Sequence, residues 1–161
     1  MMLEPWGGAR VVDLYAGSGA LGIEALSRGA EHVDFAEQSR HALVALEQNL
    51  EALDVADRAR VWRLELPSGL KRMREALEAA HVILLDPPYG GAQARQALDE
   101  LDRTAKLRAE CRVALEHHSK DDVPAAAGRL VRSGERRYGE TQITFYVPGG
   151  DDSPHDEEPG S

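Results

Sequence analysis

Asp86-Pro87-Pro88-Tyr89 is the stretch of this chain whose residue types come closest to specifying a reaction. Two successive prolines fix φ at both positions and push the residue before them into an extended conformation. The carboxylate of Asp86 and the carbonyl of Pro87 are therefore presented on a stiff step, with an aromatic ring directly after them. An exocyclic amino group on a nucleobase is a poor nucleophile because its lone pair is delocalised into the ring. Acceptors on its two hydrogens favour pyramidalisation and offset the positive charge that develops as a methyl group arrives. Asp86 can supply one acceptor and Pro87 the other, while Tyr89 stacks on the base and holds its nitrogen in line. Asp86, Pro87, Pro88 and Tyr89 are thus the catalytic candidates. The bland alternative, a proline turn with an incidental acid, fits less well because the step follows the strand, His81–Asp86, that should border the cofactor cleft.

A second segment supplies a cofactor candidate. VVDLYAGSGALG (Val11 to Gly22) reads as a strand, a glycine loop and the start of a helix. Glycines let the loop turn tightly and approach a ligand. Glu37 follows 20 residues after Gly17, at the end of the next strand, where a carboxylate accepts from ribose hydroxyls. That spacing suits NAD and S-adenosylmethionine equally. Asp13 tilts the choice toward the second, since a carboxylate there suits an ammonium and a sulfonium better than a diphosphate. Glu65, ending a third strand, can accept from an adenine amino group, although a solvated strand-end charge explains it about as well. The cofactor set is the loop residues Tyr15, Ala16, Gly17, Ser18 and Gly19, together with Asp13, Glu37, Glu65 and Asp86. No metal is expected: His117 and His118 lack a Cys or Asp cluster at ligand spacing and read as surface histidines in a loop.

These residues need a scaffold that gathers strand ends, and the pattern predicts one. Strands are expected at Arg10–Tyr15, His32–Glu37, Ala59–Leu64, His81–Asp86 and Cys111–His117. Helices are expected at Ala20–Arg28, from a Ser39 cap to about Leu53, at Ser68–Ala80 with Ser68 as cap, and at Gly91–Lys106. Ala42, Leu43, Leu46, Leu50 and Leu53 form the apolar stripe of the second helix. Alternation of this kind implies an α/β three-layer sandwich with a mostly parallel sheet, and ligands at the carboxyl ends of its strands. Gly128–Arg137 and Glu140–Val147 read as a C-terminal antiparallel hairpin. Pro124–Ala127 reads as loop or a short helical turn.

Length and charge narrow the classes further. At 161 residues the chain fits one domain, assigned to residues 1–148, followed by an acidic tail, 149–161, expected to be disordered. The net charge is −9, and the tail holds five acids with no Lys or Arg, so the remainder carries −4. A polyanion site must then be a local patch. Arg136, Arg137 and Tyr138, with Arg129 and Arg132 nearby, make one basic-aromatic stretch; Lys71, Arg72 and Arg74 make another, which reads as a solvated helix face. No apolar run reaches membrane-spanning length and the start has no signal-peptide pattern. A cytoplasmic protein without a membrane partner is expected. The single Cys111 reads as a small buried thiol.

DLYAGSGALGIEALSRGA, Glu37, LLDPPYG, LEHHSK (Leu115–Lys120) and RRYGETQITFY (Arg136–Tyr146) together resemble the RsmD-type 16S ribosomal RNA guanine-N2 methyltransferases. The resemblance implies a seven-stranded Rossmann-like methyltransferase domain, S-adenosylmethionine as cofactor, and a guanine in small-subunit ribosomal RNA as substrate. It also implies that Asp86 to Tyr89 form the target-base site and that Asp13, Gly17, Gly19 and Glu37 hold the cofactor. Members of that family begin with a basic extension carrying a β-hairpin and an Arg-Pro-Thr segment. Nothing comparable precedes Val11 here, which implies a weaker grip on RNA and a more open cofactor pocket. Other readings remain: methylation of another amino nitrogen such as adenine N6, an NAD-dependent oxidoreductase, and a cofactor-binding module without activity. A monomer is expected.

Overall fold

The structure is a computed structural model that describes residues 7–149. The acidic run expected to form a disordered tail lies outside the described residues, apart from Gly149. Eight strands form one sheet: β1 (Arg10–Leu14), β2 (His32–Glu37), β3 (Ala59–Arg63), β4 (Val82–Leu85), β5 (Arg112–His118), β6 (Ala126–Ala127), β7 (Leu130–Tyr138) and β8 (Thr141–Pro148). Their order is β3-β2-β1-β4-β5-β8-β7-β6. The first five run parallel, and β8, β7 and β6 follow antiparallel. The expected α/β sandwich with a mostly parallel sheet is therefore present. The chain order reverses between β1 and β4, which opens a crevice at their carboxyl ends. The glycine loop leaves β1 there, and the diproline step leaves β4.

Four helices cover the two faces. On one face lie α1 (Ala20–Ser27) and α2 (Arg40–Ala52), packing Ile23, Leu26, Leu46 and Leu50 against Val33 and Phe35. On the other lie α3 (Arg74–Ala79) and α4 (Gly91–Thr104), packing Leu77, Leu98 and Leu101 against Val12, Ile83, Leu85 and Leu115. Each fully buried Leu or Phe contributes about 2 kcal/mol of burial, so this two-sided core fixes where the strand ends sit. β4 needs its run Val-Ile-Leu-Leu because both of its faces are covered. Ser39 caps α2 as expected, its Oγ accepting from the Ala42 amide at 3.3 Å. No helix among the described residues is long and apolar enough to cross a membrane.

Several expectations need correction. The helix expected over Ser68–Ala80 is a 3-10 segment, Ser68–Met73, leading into α3, and no side chain caps either piece. Gly69 within that stretch weakens an α-helix by about 1 kcal/mol relative to Ala. Leu53 leaves the α2 stripe and is 56% exposed. Pro124–Ala127 contributes the short strand β6 instead of a helical turn. Counting β6, the sheet has eight strands instead of seven, and three of them are antiparallel. His117 and His118 belong to β5, not to a loop. Strand alternation turns His117 inward after Val113 and Leu115, and it is buried, 2.7 Å from Thr144 Oγ1 and 2.8 Å from the His118 carbonyl. Cys111 is buried, which pushes its thiol up to about 12.

Candidate active site

The glycine loop is held from three sides. Glu37, ending β2, accepts the Gly17 amide on Oε1 at 3.0 Å and the Gln38 and Ser39 amides on Oε2 at 2.8 and 2.6 Å. Asn49 of α2 donates to the Ser18 carbonyl at 3.1 Å. Asp13, buried in β1, accepts the Gly22 amide at 3.1 Å. Gly22 must be glycine, since a Cβ there would stand 2.3 and 2.8 Å from the Phe35 ring. Gly17 has φ +58 and open space where a side chain would project, so a ligand can approach its backbone closely.

Tyr15 joins β1 to this loop with φ 61. That conformation is unfavourable for an aromatic residue and persists only where the surroundings impose it. Its hydroxyl is buried without a hydrogen-bond partner, and burial pushes it up to about 12. An orphaned phenol costs on the order of 1–3 kcal/mol.

Tyr15 lies in the wall of a cleft of about 590 Å³ at the carboxyl edge of the sheet. Glu37, Glu65 and the whole step Asp86-Pro87-Pro88-Tyr89 line the same cleft, where the diproline step meets the glycine segment through Tyr15. Of the cofactor candidates, Ala16, Gly17, Ser18 and Gly19 do not line it, and neither does Asp13. Asp13 sits behind the loop among apolar side chains, where it shapes the loop and adds charge from below. Four further lining residues escaped the sequence reading: Gln38, Leu64, Leu66 and Gln93. Three of them flank Glu37 or Glu65 directly, which is the signal that would have found them.

The cleft is strongly acidic. Burial pushes Asp13 up to about 7, assisted by the carboxylates of Asp86 and Glu37 and opposed by the Gly22 amide. Asp86 is pushed up to about 6 by the protein packed around its carboxyl and by Glu116 of β5. The β4–β5 register explains that neighbour: Leu84 faces Ala114, and two residues further on Asp86 comes beside Glu116. Four acids crowding one edge repel each other, and a cation placed among them removes that cost. An S-adenosylmethionine carries such charge on its sulfonium and ammonium, so the residues present fit it. The diphosphate of NAD would meet the same acids unfavourably. Tyr89 is 87% exposed, an open ring at the mouth, whereas Pro87 is buried and anchors the step. Arg136, Arg137 and Tyr138 end β7 at this same sheet edge, since Tyr138 faces Thr141 and Thr141 faces His118 at the end of β5.

Residues 1–147 match the model of a protein family described as Conserved hypothetical protein 95. The chain belongs to that family. Its relatives carry the names expected of the RsmD type. The Bacillus subtilis protein named "Putative rRNA methyltransferase YlbH" is 34% identical over 146 residues, covering 90% of this chain and 79% of its own. The Escherichia coli K12 protein named "Ribosomal RNA small subunit methyltransferase D" is 28% identical over 138 residues, covering 86% and 68% respectively. Among solved structures, "putative methylase HI0767" of Haemophilus influenzae superposes with a TM-score of 0.76 at 25% identity, covering 89% of each chain. The RsmD-type domain therefore has the Rossmann-like methyltransferase fold, with this cleft where its sheet reverses.

Proposed function

We propose that this protein transfers a methyl group from S-adenosylmethionine to the exocyclic N2 of a guanine in small-subunit ribosomal RNA. The observation that carries the reading is the pairing of Asp86 with an exposed Tyr89 on one rigid step beside an acidic cleft. The relatives' names support methyl transfer to ribosomal RNA, and the step supports an amino nitrogen as the acceptor. Residues 1–148 would form the catalytic unit, acting as a monomer in the cytoplasm.

Bound in the cleft, the cofactor supplies an electrophilic methyl group on a sulfonium. The loop from Tyr15 to Gly19, with Glu37 and Glu65, would hold it, and Asp13 would favour its positive charge from beneath. Tyr89 stacks on the target base and sets the nitrogen in line. Asp86 and the Pro87 carbonyl accept its two hydrogens, which favours the pyramidal nitrogen of the transition state. Asp86 Oδ then takes the surplus proton, a role for which a carboxyl raised to about 6 is well matched.

The test is methyl transfer from labelled cofactor to hypomethylated small ribosomal subunits, followed by nucleoside analysis. N2-methylguanosine is expected; N6-methyladenosine would replace the proposed substrate, and no label beside firm cofactor binding would remove the enzymatic reading.

A further inference from the structure

The far edge of the same sheet carries a second cavity, of about 650 Å³, with the opposite electrostatics. Strand alternation places Arg10 of β1, His32 and Asp34 of β2, and Arg60 and Trp62 of β3 on the face covered by α3 and α4. The Ser68–Met73 segment and α3 bring Lys71, Arg72 and Arg74 to the other wall. Five permanent cations therefore line one groove against two carboxylates, Asp34 and Glu75, in a chain whose net charge is −9.

One of those carboxylates is engaged within the fold. Asp34 is buried, accepts the Trp62 indole N–H at 3.0 Å and sits 3.3 Å from His32 Nε2. The indole so fixed is a platform, and the Arg60 guanidinium lies over it, 3.8 Å from the ring centroid. A guanidinium stacked on a ring keeps its in-plane N–H donors free, in the fork geometry that matches a phosphate. Lys71 and Arg72 have no ion pair among the described residues, and Arg74 pairs with the half-buried Glu78 at 3.5 Å. Within the described chain, most of this positive charge has no ion-pair partner.

We propose that this groove is a second RNA surface, holding the phosphodiester backbone of the same RNA whose nucleotide enters the acidic cleft. The inference rests on the methyl-transfer reading for the identity of its polyanion. From Arg60 along β3 and on to Glu65 the path is about 16 Å, a distance one folded RNA element can span. The arrangement resolves a conflict in the charge. A cleft that suits a cationic cofactor repels RNA, and the groove adds attraction to that of Arg136 and Arg137 at the cleft's edge.

The experiment is binding of a fluorescently labelled small-subunit ribosomal RNA fragment across a range of salt, by the intact chain and by the triple variant Lys71→Ala, Arg72→Ala, Arg74→Ala. Each lost phosphate contact lowers the log–log salt slope by about 0.7–0.9. The triple variant should therefore lose about 2 from the slope and bind at least tenfold more weakly at moderate salt, with unchanged affinity for S-adenosylhomocysteine. Arg60→Ala should lose about one contact. Equal slopes and affinities in variant and parent would overturn the groove while leaving methyl transfer intact. Absence of methyl transfer beside the expected slopes would remove the reaction and leave the groove. Should the triple variant fold poorly, Trp62 fluorescence in a Trp6→Phe background reports directly: RNA should shift its emission, and an unmoved spectrum refutes the contact.

Discussion

The two ends of this sheet are built from the same strands and differ in almost everything else. At the carboxyl edge, Asp13, Glu37, Glu65 and Asp86 gather around a glycine loop and a proline step. At the amino edge, Arg10, Arg60, Lys71, Arg72 and Arg74 gather around an indole. At the first edge Glu37 accepts backbone amides, and burial, assisted by neighbouring carboxylates, raises Asp13 and Asp86. The cations at the second are largely uncommitted. On the proposed reading the difference separates two demands: the acids of the reacting edge match a cationic cofactor, and the amino-edge groove adds grip on the nucleic acid.

The sharpest way to break the comparison is to silence the acidic edge alone. Asp86→Asn keeps the shape of the step but removes the charge that accepts the amine hydrogens. Single-turnover methyl transfer should fall about 10²–10⁴-fold, with affinity for S-adenosylhomocysteine held within a few-fold by calorimetry. RNA affinity should not fall, since a negative charge is lost. Normal turnover would sink the proposed role.

A smaller effect reaches the same edge through its support. Gly22→Ala puts a methyl group against Phe35 and beside Asp13. Overpacking of this kind costs about 1–3 kcal/mol, which lowers Tm by several degrees in a thermal melt and loosens the cofactor loop. The salt slope for RNA should be unaffected, because the groove shares no residue with that contact.

Much of the acidic edge was legible from the chain alone. The glycine loop and the proline step are contiguous, and alternation of short apolar strands with amphipathic helices told which ends must meet. Strand β2 and the Ser39 cap came out as read, since a Gly before the strand and a Ser after it punctuate the pattern. Where local signals are weak, the reading faltered. The expected helix divided at Met73, after a 3-10 stretch that holds Gly69, and alanines gave no sign that Ala126–Ala127 would pair with β7. The inward turn of His117 follows from alternation in β5, a rule outweighed by the expectation that polar residues face water. Charge alone could not reveal the groove. Arg10, Arg60 and Lys71 are far apart in sequence, and only the parallel register of β1 to β3 with the following 3-10 segment brings them together. Read singly, each is a solvated surface cation.

The titration of the acidic edge links its structure to its ligand. A carboxyl whose folded value lies above its ordinary one binds more protons in the folded state than in the unfolded. Asp13 thus contributes stability at acid pH that is lost as pH rises toward about 7. A cationic ligand reverses that balance by favouring the ionised form, so binding should release protons and strengthen as Asp13 and Asp86 ionise. The most direct test is calorimetric titration with S-adenosylmethionine and with NAD between pH 5.5 and pH 8, a range spanning the values near 6 and 7 of Asp86 and Asp13. S-adenosylmethionine should bind with proton release and with an affinity that rises through pH 6 to 7, while NAD binds more weakly at every pH. Tighter binding of NAD, or S-adenosylmethionine affinity that falls as pH rises, would contradict the account.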